Sequence, residues 1–258
     1  MLGSGRALRS CSSILAATCL ATWLAAGCLA TGTAAADPLV DRRELLGTSF
    51  DGRPIRGFEL GDPSAGATVL VVGCIHGDEC AGVAIAKRLI SSRPTRYVDL
   101  WVVPDLNPDG RAAHTRGNAR GVDLNRNFPY RWRPLPRGRY YSGRRPLSEP
   151  ESRIAVRLID RITPDITIWF HEPFGAVDRS GGDVGVERRY ARLVDLPLQR
   201  LGRKPGSATG WQNHEQRDST AFVVELPPGR VSPATARTFA RAVFDLVAGR
   251  RPSRNAVA

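Results

Sequence analysis

Thr68-Val69-Leu70-Val71-Val72-Gly73-Cys74, followed at once by Ile75-His76-Gly77-Asp78-Glu79, is the stretch on which the reading of this chain turns. A continuous apolar run rich in β-branched residues describes a strand buried on both faces, because a strand with one wet face would alternate. The polar residues after it then stand where such a strand ends. From Glu79 to Ser92, Val83, Ala86, Leu89 and Ile90 recur at helical spacing, and Tyr97 to Val103 is strand-like again. That alternation is β-α-β, the unit of a parallel sheet.

Working outward, Glu44–Phe50 and Ile55–Leu60 flank Asp51-Gly52-Arg53-Pro54, which predicts an antiparallel hairpin ahead of the sheet. Downstream, Ser148-Glu149-Pro150-Glu151 has the serine and glutamate of a capping box before the periodic Ile154, Leu158 and Ile162. Asp165–Phe170 and Phe222–Leu226 are two further buried strands, and Ser232 to about Ala248 closes the chain as a helix with Phe239, Val243 and Leu246 on one face. Between Asn107 and Leu147 there is little periodicity and much Gly and Pro, so this long stretch is read as a functional loop. The fold class is α/β: a single domain with a mixed, mostly parallel central sheet flanked by helices.

Composition is ordinary for a globular protein, 42% hydrophobic and 24% charged over 258 residues, which excludes disordered and collagen-like classes. The net charge of +12 is almost all arginine, since Lys87 and Lys204 are the only lysines. Residues 1–36 carry Arg6 and Arg9, no acid, an apolar run from Ile14 to Ala30, and end in Ala34-Ala35-Ala36. This is the pattern of a signal peptide cut before Asp37, which predicts a secreted or cell-envelope protein. Leu24-Ala25-Ala26-Gly27-Cys28 also resembles a lipobox, and the run is long enough to remain as an anchor; membrane attachment is expected only in those two cases. The expected organisation is signal peptide 1–36, hairpin 37–67, main catalytic body 68–249 and tail 250–258.

His76 and Glu79, three residues apart after a buried strand, are a pair that zinc accepts, and His171 ends another buried strand. Two histidines and a glutamate leave a fourth position open, as a catalytic zinc requires. Glu225 is a carboxylate inside the apolar run Phe222–Leu226; it is either a general base whose proton affinity burial has raised or half of a buried ion pair. Cys74 and Cys80 flank the His76–Glu79 turn, and both a bridge between them and two free thiols fit the spacing.

Asn107-Pro108-Asp109-Gly110, Arg116, and Gly121-Val122-Asp123-Leu124-Asn125-Arg126-Asn127-Phe128-Pro129, with the ligand motifs and Glu225 in that order, resemble the M14-type zinc carboxypeptidase family. That family includes pancreatic carboxypeptidases and bacterial murein peptide amidases. The resemblance implies one zinc per chain on His76, Glu79 and His171, Glu225 as general base, and Arg116 polarising the scissile carbonyl. Asn125 and Arg126 would hold the substrate's terminal carboxylate, a task suited to a guanidinium fork. The activity implied is hydrolysis of the peptide bond next to a free C-terminal carboxylate. Digestive members carry a tyrosine about twenty residues before the base; here no tyrosine follows Tyr190, and Trp211, Asn213 and His214 stand in that region. Its absence makes the chain more similar to the murein peptide amidase branch, whose substrate is a cell-wall peptide cut between γ-D-glutamate and diaminopimelate. Glu215 and Asp218 are then candidate partners for the diamino acid's distal ammonium.

Two other functions stay open on sequence: an aminoacylase-like zinc deacylase and a zinc-free wall-binding protein. Arg131, Arg133, Arg137, Arg139, Arg144 and Arg145, mixed with Trp132, Tyr140 and Tyr141, are read as a solvated loop on the cleft rim. Export argues against nucleic acid as their partner.

Overall fold

The computed structural model describes residues 39–93 and 95–248. The predicted signal peptide and C-terminal tail lie outside those residues. Strands β1 (Val40–Thr48) and β2 (Pro54–Gly61) form the expected antiparallel hairpin. β3 (Thr68–Val72), helix α1 (Gly82–Ile90) and β4 (Asp99–Val103) are the β-α-β unit, with β3 and β4 parallel. Next come α2 (Pro108–Ala113), a 3-10 turn at Leu124–Arg126, α3 (Pro150–Ile162) and β5 (Ile166–His171). The chain finishes with β6 (Ala176–Asp178), α4 (Val184–Leu193), β7 (Leu198–Gln199), α5 (Ala208–Glu215), β8 (Thr220–Glu225) and α6 (Pro233–Val247).

The eight strands make one sheet in the order β1-β2-β4-β3-β5-β8-β6-β7. Pairs β3–β4, β3–β5, β5–β8 and β6–β7 are parallel, whereas β1–β2, β2–β4 and β6–β8 are antiparallel. β3 sits in the middle, as its unbroken apolar run requires. Its side chains alternate between two cores: Val69 and Val71 pack with Ile85, Leu89, Tyr190, Phe239 and Val243 on one face. Leu70 and Val72 pack with Ile154, Leu158, Phe128, Trp169 and Trp211 on the other. Thus α1, α4 and α6 cover one face, and α3 and α5 the other.

Two local expectations are corrected. The capping box at Ser148 is not made, because the Ser148 hydroxyl donates to Glu149 Oε1 at 2.6 Å and accepts from Asn127 Nδ2 at 3.0 Å. Glu149, not Ser148, is the N-cap of α3, with no side-chain cap bond. The stretch from Asn107 to Leu147 is also less irregular than its composition reads, since it holds α2 and the 3-10 turn. Asn107 caps α2, its Oδ1 accepting from the Gly110 N–H at 3.0 Å. A six-residue helix is too short to show a period.

Candidate active site

Three adjacent parallel strands, β3, β5 and β8, deliver chemistry to one edge of the sheet. β3 runs into the turn that carries His76 and Glu79, β5 ends on His171, and β8 ends on Glu225, which is in register with His171. Strand ends of a parallel sheet are where backbone pairing stops and side chains can converge on a ligand. The turn after β3 is held from below. Asn107 Nδ2 donates to the Ile75 carbonyl at 3.0 Å, and Gly77 lies so close to α2 that a Cβ there would come within 1.9 Å of the Gly110 carbonyl carbon. Asp109 in turn accepts from Ser49, the Asp51 N–H and Arg53 at 2.8, 3.0 and 2.6 Å, which ties α2 to the β1–β2 turn. The Asn107-Pro108-Asp109-Gly110 motif is therefore scaffold for the site.

Glu79 Oε2 lies 2.8 Å from His76 Nδ1 and 3.1 Å from His171 Nδ1. These three residues form a group whose ligand atoms all lie within 4.8 Å of one another. A tetrahedral ion with bonds of about 2.0–2.1 Å places its donors about 3.3 Å apart, close to the 2.8 and 3.1 Å from Glu79 to the two histidines. Two imidazoles and one carboxylate are a donor set for zinc, and His171 Nε2 and Glu225 Oε2 are buried there without a hydrogen-bond partner. The residues present fit the ion. Burial holds the His171 imidazole down to about 4, against the pull of Glu79, so its ring is neutral and able to ligate at neutral pH.

Asp123, fully buried, accepts from His76 Nε2 at 2.9 Å and from Arg116 Nε at 3.0 Å. Burial alone would raise this carboxyl, but the His76 and Arg116 charges outweigh it and hold it well below the usual carboxylate range. Arg116 also donates to Glu79 Oε1 at 2.5 Å. Glu225 is pushed up to about 7, first by burial and then by the negative charge of Glu79. Cys74 and Cys80 lie with their Cα atoms 4.8 Å apart and their sulfurs bonded, across the base of the His76–Glu79 turn.

A cleft of about 320 Å³ opens over these groups and is lined by His76, Glu79, Arg116, Asn125, Arg126, His171 and Glu225 together. The residues expected to bind the metal, act as base and hold the substrate's carboxylate thus share one cavity. Asn125 Oδ1 accepts from the Ala208 N–H at 2.9 Å, which fixes the amide with its NH2 left free for the cleft. Arg126 is nearly buried beside it.

A match to the zinc carboxypeptidase family model spans residues 30–173, more than half of the chain. The chain belongs to the zinc carboxypeptidase family. The matched span includes His76, Glu79, Arg116, Asn125, Arg126 and His171, while Glu225 lies beyond it. The chain is 34% identical to murein peptide amidase A of Escherichia coli K12 over 65% of its own length and 75% of that protein. It is 30% identical to murein peptide amidase A of Vibrio campbellii over 76% and 86%. Among solved structures, murein-tripeptide amidase from Escherichia coli O157 superposes with a TM-score of 0.63, 28% identity, over 82% of this chain and 92% of that one. Carboxypeptidase A of Helicoverpa armigera shares the fold, with a TM-score of 0.68 at 19% identity over 81% and 68%. As a zinc carboxypeptidase family member with murein peptide amidase relatives, the protein is a metallopeptidase hydrolase. No observation favours the deacylase or the zinc-free alternative.

Some assignments change. Glu215 and Asp218 are exposed and do not line the cleft, because α5 carries the segment before β8 away from it. Trp211 is core, packed on Phe128 at 5.6 Å between ring centroids, and His214 stacks on Tyr130 at 4.0 Å, so neither reaches the cavity. Asn213 braces β8, donating to the Ala221 carbonyl at 2.8 Å. Conversely, Arg139 and Tyr140 of the basic loop line the cleft, with the Tyr140 ring 5.3 Å from the Arg116 guanidinium and 5.4 Å from that of Arg126. Composition gave Tyr140 no distinction from its neighbours. Asp123 had a signal: a charged residue between Val122 and Leu124, placed to be buried.

Proposed function

We propose that the protein is an exported zinc metallopeptidase that cuts murein-derived peptides at the bond between γ-D-glutamate and diaminopimelate. The single observation that carries this reading is the convergence of His76, Glu79, His171, Glu225, Arg116, Asn125 and Arg126 in one cleft of a chain similar to murein peptide amidases. Export rests on the N-terminal pattern of residues 1–36.

Zinc held by His76, Glu79 and His171 supplies a Lewis acid that lowers the pKa of water and polarises a carbonyl. Glu225 sits one strand from His171 with a buried oxygen free and a carboxyl poised near neutral pH, which suits it to take a proton from attacking water and return it to the leaving nitrogen. Arg116 lines the cleft, its Nη1 and Nε held by Glu79 and Asp123, and its guanidinium is placed to donate to the oxygen that becomes anionic. Asn125 and Arg126 receive the substrate's free carboxylate, and Tyr140 packs over the guanidiniums of Arg116 and Arg126.

The direct test offers purified protein L-Ala-γ-D-Glu-diaminopimelate beside ordinary L-peptides with free C termini. Release of diaminopimelate at the higher kcat/KM is the expected result. Faster hydrolysis of the L-peptides rejects the murein assignment and leaves the metallopeptidase one standing.

A further inference from the structure

From Asn125 to Ser148 the chain carries seven arginines and no acid. Six of them, Arg131, Arg133, Arg137, Arg139, Arg144 and Arg145, are exposed. Among the described residues Arg139 reaches one carboxylate, that of Asp78 at 3.9 Å, and the other five have none within 4.0 Å. Like charges at this density repel one another, so a loose loop would let them spread. This loop is held instead. Asn127 and Ser142 are both buried within it: Asn127 Nδ2 donates to the Ser142 carbonyl at 2.8 Å, and the Ser142 hydroxyl donates to the Arg133 carbonyl at 3.0 Å and accepts from the Leu135 N–H at 2.9 Å. The Leu147 N–H donates to the Asn127 carbonyl at 2.7 Å and the Asp123 N–H to the Tyr141 carbonyl at 2.8 Å, which ties the loop to the floor of the cleft.

The aromatic residues of the loop serve its arginines. The Arg131 guanidinium lies 5.7 Å from the Tyr130 ring and that of Arg137 5.1 Å from the Tyr141 ring, contacts that orient a cation without cancelling its charge. Tyr130 also stacks on His214, Trp132 donates its indole N–H to the Ser142 carbonyl at 3.1 Å, and Tyr140 packs over Arg116 and Arg126. With its rings engaged inside the chain, the loop offers no row of open rings on which the bases of a single-stranded nucleic acid could stack. What it offers is a series of positioned guanidinium forks, each able to take the two free oxygens of a phosphodiester.

We propose that the exposed arginines of this loop form a surface beside the cleft for a linear polyol-phosphate polymer of the cell envelope, which holds the enzyme where its substrate is released. The choice of an envelope polymer rests on the reading of the protein as exported; the binding itself does not depend on the reaction catalysed.

The test measures binding of fluorescently labelled poly(glycerol phosphate) to the purified protein by anisotropy. Affinity should fall about 100-fold between about 50 and 200 mM salt, as release of counterions from about five phosphates requires. Arg131→Gln, Arg133→Gln and Arg137→Gln together should weaken binding about 10-fold or more at the lower salt and flatten the salt dependence. Arg144→Gln with Arg145→Gln should act in the same direction. The control removes the same charge from the opposite face of the sheet, at Arg88, Arg237 and Arg241 on α1 and α6, and should change affinity less than about 2-fold. Circular dichroism confirms that each variant is folded, and hydrolysis of L-Ala-γ-D-Glu-diaminopimelate without polymer should be unchanged in all of them. Absence of binding, or equal losses in the loop and control variants, overturns the surface. Oligothymidylate or poly-L-glutamate of equal charge binding as tightly overturns the polyol-phosphate assignment. Polymer binding that is lost in the loop variants from a protein that does not cleave the tripeptide rejects the murein reading and retains the surface.

Discussion

Asp123 accepts from His76 Nε2 at 2.9 Å and is itself fully buried, so the imidazole proton is pinned on Nε2 and Nδ1 is the atom turned toward Glu79 and His171. A buried carboxylate behind a histidine fixes ring orientation and raises the ligand's basicity. It also anchors Arg116, whose Nε donates to the other oxygen of the same carboxylate.

Asp123→Asn should therefore weaken zinc binding by about 10–100-fold. Metal-buffer titration reads the change, with elemental analysis of wild type showing one zinc per chain. His171→Ala should lose the metal outright. Wild-type affinity in Asp123→Asn would remove the orienting role of Asp123.

Glu225→Gln should keep both fold and zinc while kcat falls by about 10²–10⁴-fold, since the amide cannot carry a proton from water to the leaving nitrogen. Retention of more than a tenth of wild-type kcat would show that another group acts as the base.

The same substitution has a signature in chelator-treated protein. Glu225 is raised from 4.5 to about 7, so the folded chain holds this proton more tightly than the unfolded chain does. Its contribution to stability is present in acid and is lost as pH rises from about 4.5 through 7. Metal-free Glu225→Gln should match wild type near pH 4 and exceed it above pH 7 by up to about 3 kcal/mol. Denaturant melts across that range measure it, and a difference independent of pH would contradict the burial argument.

Arg126→Ala should lose activity on free-acid peptides and spare C-terminally amidated ones, which lack the carboxylate it receives. Removal of a charge-assisted pair costs about 1.5–3 kcal/mol, roughly 10- to 100-fold in kcat/KM. Tyr140→Ala should raise KM through loss of the ring over Arg116 and Arg126, and Tyr140→Phe should restore most of it. Equal losses on both substrate types would reject the carboxylate role of Arg126.

Cys74 and Cys80 should offer no alkylatable thiol under denaturing, non-reducing conditions, as their bonded sulfurs require. Serine at both positions should lower stability by about 2 kcal/mol, the figure for closing so short a loop. Mass spectrometry of unreduced protein decides it, and two labelled thiols would leave the metal turn braced by Asn107 and Gly77 alone.

What the amino-acid sequence by itself determined is local or repeats with a short period. The buried runs of β3, β5 and β8, the His76–Glu79 spacing and the positions of His171 and Glu225 at strand ends were all legible, because burial on both faces writes itself as an unbroken apolar run. Short elements were not: α2, β6 and β7 have too few residues to show a period. The tertiary structure alone decided which polar residues face the cleft. Glu215 and Asp218 are near Glu225 in the chain but are turned away with α5. Asp178 reaches the cleft because β6 pairs antiparallel with β8, and Tyr140 because its loop folds back over Arg116 and Arg126. Sequence neighbourhood says little about such placements, since strand order and loop closure, set by the packing of two cores around one sheet, bring together residues far apart along the chain.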